Sequence, residues 1–417
     1  MANLNRLRAL TRQIDAATPA GRDRAVDALR ACAILGVVLG HWLVTALVAK
    51  PGGAGAVGTL TGDSPLRHIP WLAPISWIFQ TLAVFFLVGG HVAAKSYASA
   101  AKRGMGYGAW VRQRLIRLAR PVAAVLGLWT VIGGTLLIFG APPETVRALT
   151  KLVLSPLWFL LVFAGLTVVT PLVARLHWLW PLAAVMQVDL IRFGFGGPAW
   201  TGWINVIAGW LVPYCLGTAW TRGEYARPTS GLGLLIGGAA ATTGLVQWGG
   251  YPASMVGVPG AEISNLNPPT LAAVTFGLAQ AGLALLLREP LRRAMRRPCA
   301  WTAILLANLS AMTIFLWHQT AMMAVTSIFL PLGTVPGLHT APDSLGWALA
   351  RLAWVPVFAG ALAMCWAAFR MAEQPARAGL ARGRPAPKEK AALGASAAAP
   401  RGEMSKVDPM STAGEAG

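Results

Sequence analysis

The sequence predicts an all-α fold, a polytopic transmembrane helix bundle of about ten spans with both termini cytoplasmic. Three observations predict this class. Apolar residues make up 55% of the 417-residue chain, and charged residues make up only 12%. Apolar runs of about 18 to 25 residues, long enough to cross a bilayer, recur along the chain. Basic residues lie mostly on one side of these runs, as they do in membrane proteins with a defined orientation.

The chain divides into three predicted segments. Residues 1–24 are polar and basic and lack an apolar stretch followed by a cleavage site, so they are interpreted as a cytoplasmic tail and not a signal peptide. Residues 25–374 form the predicted transmembrane domain. Residues 375–417 are rich in Ala, Pro, Gly and charge, and are predicted to be disordered because they carry little apolar surface. The predicted spans cover residues 26–49, 71–94, 122–139, 152–174, 178–188, 200–220, 231–248, 271–287, 301–329 and 345–369.

The distribution of basic side chains predicts the orientation of the spans. Ten spans place both termini on one side of the membrane, and 29 of the 35 Lys and Arg residues fall on that side. This excess is typical of cytoplasmic loops, so both ends are predicted to lie in the cytoplasm of a protein of the plasma membrane. Topology thereby explains most of the net charge of +20, and a lipid bilayer, not a nucleic acid, is the expected partner.

A polar stripe runs along the first predicted span, which reads DALRACAILGVVLGHW from Asp27 to Trp42. Arg30 and His41 are eleven positions apart, which is three helical turns plus about 20°, so both side chains project from one face. At ~1.5 Å per residue, they are separated by roughly 16 Å along the helix axis. Asp27 lies on the same face one turn before Arg30, where the two can form an ion pair at the water boundary.

His41 is the strongest candidate for a catalytic residue. It is predicted to lie about 15 Å inside an apolar core ~30 Å thick, where ionisable groups usually face the bundle interior and serve a function. A neutral imidazole can take the proton of a hydroxyl that attacks a carbonyl. The planar fork of Arg30 can hold a phosphate or an amide carbonyl. The alternatives are an imidazole satisfied by a neighbouring helix and a simple ion pair between Arg30 and Asp27.

The sequence offers no pattern for several other chemistries. It contains no P-loop, no dinucleotide fingerprint, no paired metal-ligand histidines and no nucleophile elbow. The four cysteines show neither metal nor redox spacing. No metal cofactor is therefore expected.

Six short sequence motifs, spread from the first predicted span to the end of the last, form one pattern. In the first, Asp27, Leu29 and Arg30 precede the pair in which ten residues separate the arginine from His41. The others are FFLVGGH (Phe85 to His91), RQRLIRLARP (Arg112 to Pro121), PLWFL (Pro156 to Leu160), LSAMTIFLWH (Leu309 to His318) and AEQP (Ala372 to Pro375). Together they resemble the acyltransferase type 3 family of membrane acyl-CoA-dependent transferases, over about residues 22 to 376.

The resemblance implies an enzyme that moves an acyl group, such as acetyl or another short chain, from cytoplasmic acyl-CoA to a hydroxyl of a carbohydrate or glycoconjugate. It implies a catalytic set of His41, Arg30 and Asp27, in which His41 is the general base near the thioester and Arg30 grips the donor near its phosphates. The basic connector before the third span suits the nucleotide phosphates of CoA, and equally suits positive-inside charge or contact with anionic lipid. Its candidate arginines are Arg112, Arg114, Arg117 and Arg120.

Four further residues are candidates for the substrate site. His318, well inside the ninth span, could orient the first-span histidine, contact the acceptor or be a satisfied polar group. Trp158 could line an acyl tunnel or pack in the core. Asn265 and Asn267 precede the eighth span, and their amides suit sugar hydroxyls as well as ordinary turns. His339 lies beyond a span end and is expected to be solvated.

A different function class remains open at this stage. A transporter or flippase could use His41 and His318 as a proton relay. Such proteins often contain internal repeats with helices broken at matching positions, and no such pairing is visible in the sequence. Release of CoA thiol separates the two classes, because a transporter moves its substrate without it.

Overall fold

A computed structural model describes residues 2–19, 21–50 and 58–373, of which most are helical. The predicted disordered tail, residues 375–417, lies outside the described residues. An antiparallel hairpin pairs β1 (Ala46–Lys50) with β2 (Thr59–Asp63). The helices are α1 (Ala2–Ala16), α2 (Arg24–Val44), α3 (Pro65–His68), α4 (Ala73–Ser76), α5 (Leu82–Lys102), α6 (Tyr107–Ile138), α7 (Pro143–Leu154), α8 (Leu157–Val168), α9 (Thr170–Val173), α10 (Leu179–Asp189), α11 (Ile204–Thr221), α12 (Pro228–Trp248), α13 (Leu271–Leu286), α14 (Arg288–Ala294), α15 (Pro298–Leu309), α16 (Ala311–Phe329) and α17 (Leu345–Glu373).

Several of these helices are suited to a bilayer. Within the described ranges, seven helical segments are long and apolar enough to cross a membrane, or eight if α13 and α14, which are bent by 47° at their junction, form one span. The prediction of a polytopic helical membrane protein is therefore confirmed. The number of ten spans and the cytoplasmic position of both termini stay predictions.

The first predicted span is shorter than residues 26–49. Helix α2 begins at Arg24, where the Asp23 side chain caps it by accepting from the Ala25 amide. It ends at Val44, and residues 46–50 form β1 instead of a last helical turn. The prediction for these residues is wrong, because pairing with β2 supplies the backbone partners that further helix would have supplied.

The basic connector before the third predicted span is part of a helix. Helix α6 runs without interruption for 32 residues from Tyr107 to Ile138. At ~1.5 Å per residue it is about 48 Å long, which exceeds an apolar core of ~30 Å. The arginine-bearing first half of α6 therefore has room to project beyond the core as a rigid extension of the span.

Three predicted spans are broken, and one of them, residues 152–174, divides into the end of α7, α8 and α9. The second span is interrupted between a 3-10 turn at Trp77–Phe79 and α5, where Gln280 Nε2 donates to Gln80 O at 2.6 Å. The ninth divides into α15 and α16 at Ser310. Non-helical backbone at membrane depth requires protein partners, and side chains such as Gln280 provide them at the break in the second span.

Helices α5 and α11 pack backbone against backbone through Gly90 and Gly217. A Cβ atom at Gly217 would lie 2.0 Å from Leu87 O, and one at Gly90 would lie 2.2 Å from Tyr214 O. Small residues of this kind allow membrane helices to approach closely. Residues of both buried apolar clusters meet here, since Tyr214 belongs to one cluster and Leu87 to the other.

Replacing Gly217 with alanine is expected to destabilise the protein, because the added methyl group must push α5 and α11 apart. Overpacking of this kind costs about 1–3 kcal/mol or more. The measurement is the thermal unfolding midpoint of the purified protein in detergent. Gly127→Ala on α6 is the matched control, since a Cβ atom there meets no atom within 4 Å. Equal midpoints for the two variants would contradict the close packing.

Candidate active site

His41 lies in the last turn of α2, on the face of that helix that packs against the bundle. The buried residues of this face include Ile34, Val38 and Trp42. His41 follows Val38 by three positions and Ile34 by seven, so it belongs to the same stripe. Its side chain is partly buried. The imidazole therefore points towards neighbouring helices of the protein, as its contacts with α16 demonstrate.

The second imidazole of the site belongs to His318 on α16. The ring centroids of His41 and His318 are 5.1 Å apart, with the ring planes inclined at 46°. His318 is fully buried, and its Nδ1 lies 2.5 Å from Phe315 O. Because a carbonyl oxygen can only accept, Nδ1 carries the proton and Nε2 presents a lone pair. In the described part of the chain, no hydrogen-bond partner reaches this Nε2 atom.

Gln319, the next residue of α16, also contacts His41. Its amide nitrogen lies 3.0 Å from His41 Nδ1, and its side chain is 1% exposed. The two helices are tied together at the same level, because the Trp42 indole donates to His318 O at 2.9 Å. Two consecutive residues of one helix thus hold the imidazole of another.

Aromatic side chains pack beside the histidine pair. We define the aromatic cluster as Phe85, Phe86, Trp158, Phe159, Phe163, Trp210 and Phe315. Phe315 lies 5.8 Å from His318 and 4.7 Å from Phe159, measured between ring centroids. Trp158 is partly buried in this cluster, 6.2 Å from Trp210. These rings give the histidine pair an apolar surrounding on one side, and Trp158 packs at the far side of the cluster from His318.

Arg351 holds the end of α2 from a third helix, α17. Its side chain is 1% exposed and donates to Trp42 O, Thr45 O and Gly337 O at 2.6, 2.7 and 2.8 Å. A cation at a helix C-terminus satisfies carbonyls that lack helical partners and interacts favourably with the helix dipole. The last turn of α2, which carries the catalytic candidate, is therefore fixed from outside.

The other end of the polar stripe carries a group of arginines. Arg114 on α6 is partly buried and lies close enough to Arg30 and Arg117 to interact with both electrostatically. Arg112, Arg117 and Arg120 are exposed. The structure thus brings the first-span arginine and part of the basic connector together, a few helical turns away from His41.

Asp27 forms a different ion pair from the expected one. Its carboxylate lies 2.6 Å from Arg22 Nε, and its backbone oxygen accepts from Asn308 Nδ2 at 2.7 Å. Asp27 is therefore tied by an ion pair to the segment that precedes α2. These contacts anchor the start of the helix, and a place for Asp27 in the catalytic set stays a prediction.

The loop before α13 uses its polar groups internally. Asn265 is fully buried, and its Nδ2 donates to Pro252 O and Ser254 O at 2.6 and 3.0 Å. Its Oδ1 accepts from Thr270 Oγ1 at 2.6 Å. These bonds occupy both sides of the amide, so the expectation that Asn265 binds an acceptor has no support. Asn267 is exposed.

The expectation that His339 is solvated is wrong. The residue is fully buried, its Nε2 donates to Thr326 O at 2.7 Å, and its Nδ1 accepts from the Val335 amide at 3.1 Å. Both ring nitrogens are satisfied by backbone. His339 is thus a structural histidine, in contrast to His318, whose Nε2 lacks a partner within the described residues.

Sequence reasoning gave no role to Gln319 or Arg351. The sequence itself could have indicated a role for Arg351, since an arginine inside an apolar run is costly unless it has partners. Gln319 had only its position beside His318. Its importance comes from a contact between α16 and α2, whose residues are 278 positions apart, and no local pattern reports such a contact.

The fold and the site together define an integral membrane protein with a polar site inside its helix bundle. Intramembrane ionisable residues in such proteins mark functional sites. The chain belongs to the acyltransferase type 3 family, because the family model for this acyltransferase domain matches residues 23–370, which is most of the chain. No curated protein and no solved structure matches it.

Proposed function

We propose that this protein transfers an acetyl or other short acyl group from cytoplasmic acyl-CoA to a hydroxyl of a carbohydrate or glycoconjugate acceptor. The observation that carries the proposal is the contact of His41 with His318 and Gln319 inside the bundle of an acyltransferase-family chain. The proposal includes ten spans, cytoplasmic termini and a plasma-membrane location. It also includes a transmembrane domain at residues 25–374 between two tails.

In the proposed reaction, His41 acts as general base. Its Nε2 takes the proton of the acceptor hydroxyl while the oxygen attacks the thioester carbonyl carbon. When the tetrahedral intermediate collapses, the carbon–sulfur bond breaks and the thiolate takes the proton back from the imidazolium. The products are an ester and free CoA thiol, so the protein ends each cycle unchanged. His318 Nε2 has a free lone pair and no hydrogen-bond partner among the described residues. It is proposed to receive a hydrogen bond from the carbohydrate that is acylated.

The arginine group at the start of the stripe is proposed to bind the CoA phosphates. The proximity of Arg30, Arg114 and Arg117 supports this. Positive charges gathered at one place repel one another, and a bound anion such as a phosphate relieves that repulsion. The stripe between Arg30 and His41 suits an extended pantetheine arm, with Trp158 and its aromatic neighbours beside the acyl end. Asn267, exposed in the loop before α13, keeps a proposed part in contacting the acceptor.

Replacing Arg114 with glutamine is expected to raise KM for acetyl-CoA about 10- to 100-fold, since a charge-assisted hydrogen bond is worth about 1.5–3 kcal/mol. KM for S-acetylpantetheine, which lacks the nucleotide phosphates, is expected not to change. Thiol release measured with both donors tests this. The control is Arg147→Gln, an exposed arginine on α7 that should alter neither constant. An equal rise with both donors would contradict phosphate binding by Arg114.

The experiment that tests the proposed function is a thiol-release screen of the purified protein in detergent. Acetyl-, propionyl- and longer acyl-CoA are each combined with candidate sugars and glycolipids, and acylated product is quantified beside the thiol. We expect acceptor-dependent release with one ester formed per thiol. Substrate movement in proteoliposomes without thiol release with any donor would overturn the proposal and favour a transporter that uses the histidine pair as a proton relay.

A further inference from the structure

We propose that Gln319 is a positioning residue for His41, which holds the imidazole in the tautomer that leaves Nε2 free to accept a proton. This inference rests on the proposed acyl transfer. It adds a residue whose side chain acts on the base and not on the substrate.

The geometry gives Gln319 one polar neighbour of consequence. Its amide lies 3.0 Å from His41 Nδ1, and the side chain is 1% exposed, so water does not compete for the contact. The other amide atom, Oε1, has no hydrogen-bond partner among the residues described. A buried polar group without a partner costs about 1–3 kcal/mol. Because an apolar side chain would fill this position without that cost, the contact with His41 explains a glutamine here better than packing does.

The two orientations of the amide assign different tautomers to His41. With the NH2 group towards Nδ1, the glutamine donates, and the imidazole proton must lie on Nε2, where it blocks general-base action. With the amide rotated by 180°, Oε1 accepts from Nδ1–H, and Nε2 carries the lone pair. Either orientation leaves one amide atom without a bond, so the exchange costs no hydrogen bond. Once His41 has taken a proton, only the orientation with Oε1 towards Nδ1 is possible, because both ring nitrogens then donate.

The other polar side chains near His41 do not set its tautomer. His318, which contacts His41 from α16, uses Nδ1–H for Phe315 O, and its Nε2 stands apart from any hydrogen bond with the described residues. Arg351 from α17 is a cation that donates to backbone carbonyls at the end of α2 and cannot accept a proton from Nδ1. A neutral amide also avoids the cost of placing a carboxylate in this surrounding.

Two substitutions test the assignment by pH–rate profiles of thiol release with acetyl-CoA and a working acceptor. Gln319→Met keeps the shape without a hydrogen bond, and kcat is expected to fall about 10- to 100-fold with little change in KM. Gln319→Glu presents only oxygens to Nδ1. It is expected to retain more activity than Gln319→Met and to move the acidic limb of the profile about one pH unit or more upward, because a nearby negative charge favours the imidazolium.

Thr320→Val is the matched control on the same helix. It removes the bond from Trp129 Nε1, 3.0 Å away, without touching His41, so kcat per folded molecule and the profile should stay as in the wild type. Wild-type kcat and profile in Gln319→Met would overturn the assignment. His41→Ala separates the role of Gln319 from the proposed role of His41 as base. If His41→Ala is inactive while Gln319→Met keeps wild-type activity, only the role of Gln319 is wrong. If His41→Ala is active, the proposed function is wrong as well.

Discussion

Replacing His41 with glutamine is expected to lower kcat by about 10²- to 10⁴-fold, the range that a positioned general base contributes. Glutamine can still form a hydrogen bond with the Gln319 amide, so the contact between α2 and α16 persists. It cannot take a proton from a hydroxyl. KM for acetyl-CoA should change little, because the groups proposed to bind its phosphates lie several turns away. Steady-state thiol release, together with the thermal unfolding midpoint, measures both effects.

His339→Gln is the matched control for this substitution. His339 is also buried, but both of its ring nitrogens are bonded to backbone groups. Its replacement should lower the unfolding midpoint and leave kcat per folded molecule near the wild-type value. The reverse pattern, with His41→Gln unstable but fully active per folded molecule, would mean that His41 is structural.

Arg351→Met is expected to destabilise the protein by about 3–5 kcal/mol, a large fraction of the stability of an ordinary domain. Methionine fills the volume but leaves the carbonyls of Trp42, Thr45 and Gly337 without their present donor. Because two of these carbonyls lie at the end of α2, the turn that carries His41 should fray. We expect a lower unfolding midpoint and reduced kcat even at temperatures where the protein remains folded.

Arg147→Met is the control for the loss of an arginine as such. Arg147 is exposed on α7. Its replacement should change the free energy of unfolding by less than about 0.5 kcal/mol, and so hardly shift the midpoint. Arg351→Lys adds a further comparison, since one ammonium group cannot reproduce the planar fork that reaches three carbonyls. A midpoint for Arg351→Met equal to that of Arg147→Met would contradict the role of Arg351 in holding α2.

The sequence was sufficient to predict what depends on local pattern. Apolar run length predicted the helical membrane class, and the cost of an ionisable side chain at membrane depth predicted that His41 faces the bundle. Local pattern failed where tertiary contacts decide. The end of α2 at Val44 is set by the strand pairing of residues 46–50 and by Arg351, which is distant in sequence. The ion pair of Asp27 with Arg22 follows from the path of the chain before the helix.

The candidate site was predicted in the same uneven way. His41 and His318 were found because an imidazole in an apolar run is unusual, and the structure brings them within 5.1 Å. Gln319 was overlooked as a site residue because an amide in an apolar helix has many ordinary explanations. Asn265 was proposed for an acceptor because a loop amide suits sugars, but its bonds to neighbouring loop residues occupy it. Only the three-dimensional contacts separate these cases.

Transfer of radiolabelled acetyl from acetyl-CoA tests the central claim most directly, with wild-type protein and His41→Ala compared in detergent at equal folded concentration. The label on the acceptor and the thiol released are counted over the same interval. We expect equal amounts of the two with the wild type, and neither above background with His41→Ala. Acceptor labelling by His41→Ala at the wild-type rate would contradict the assignment of His41 as the base.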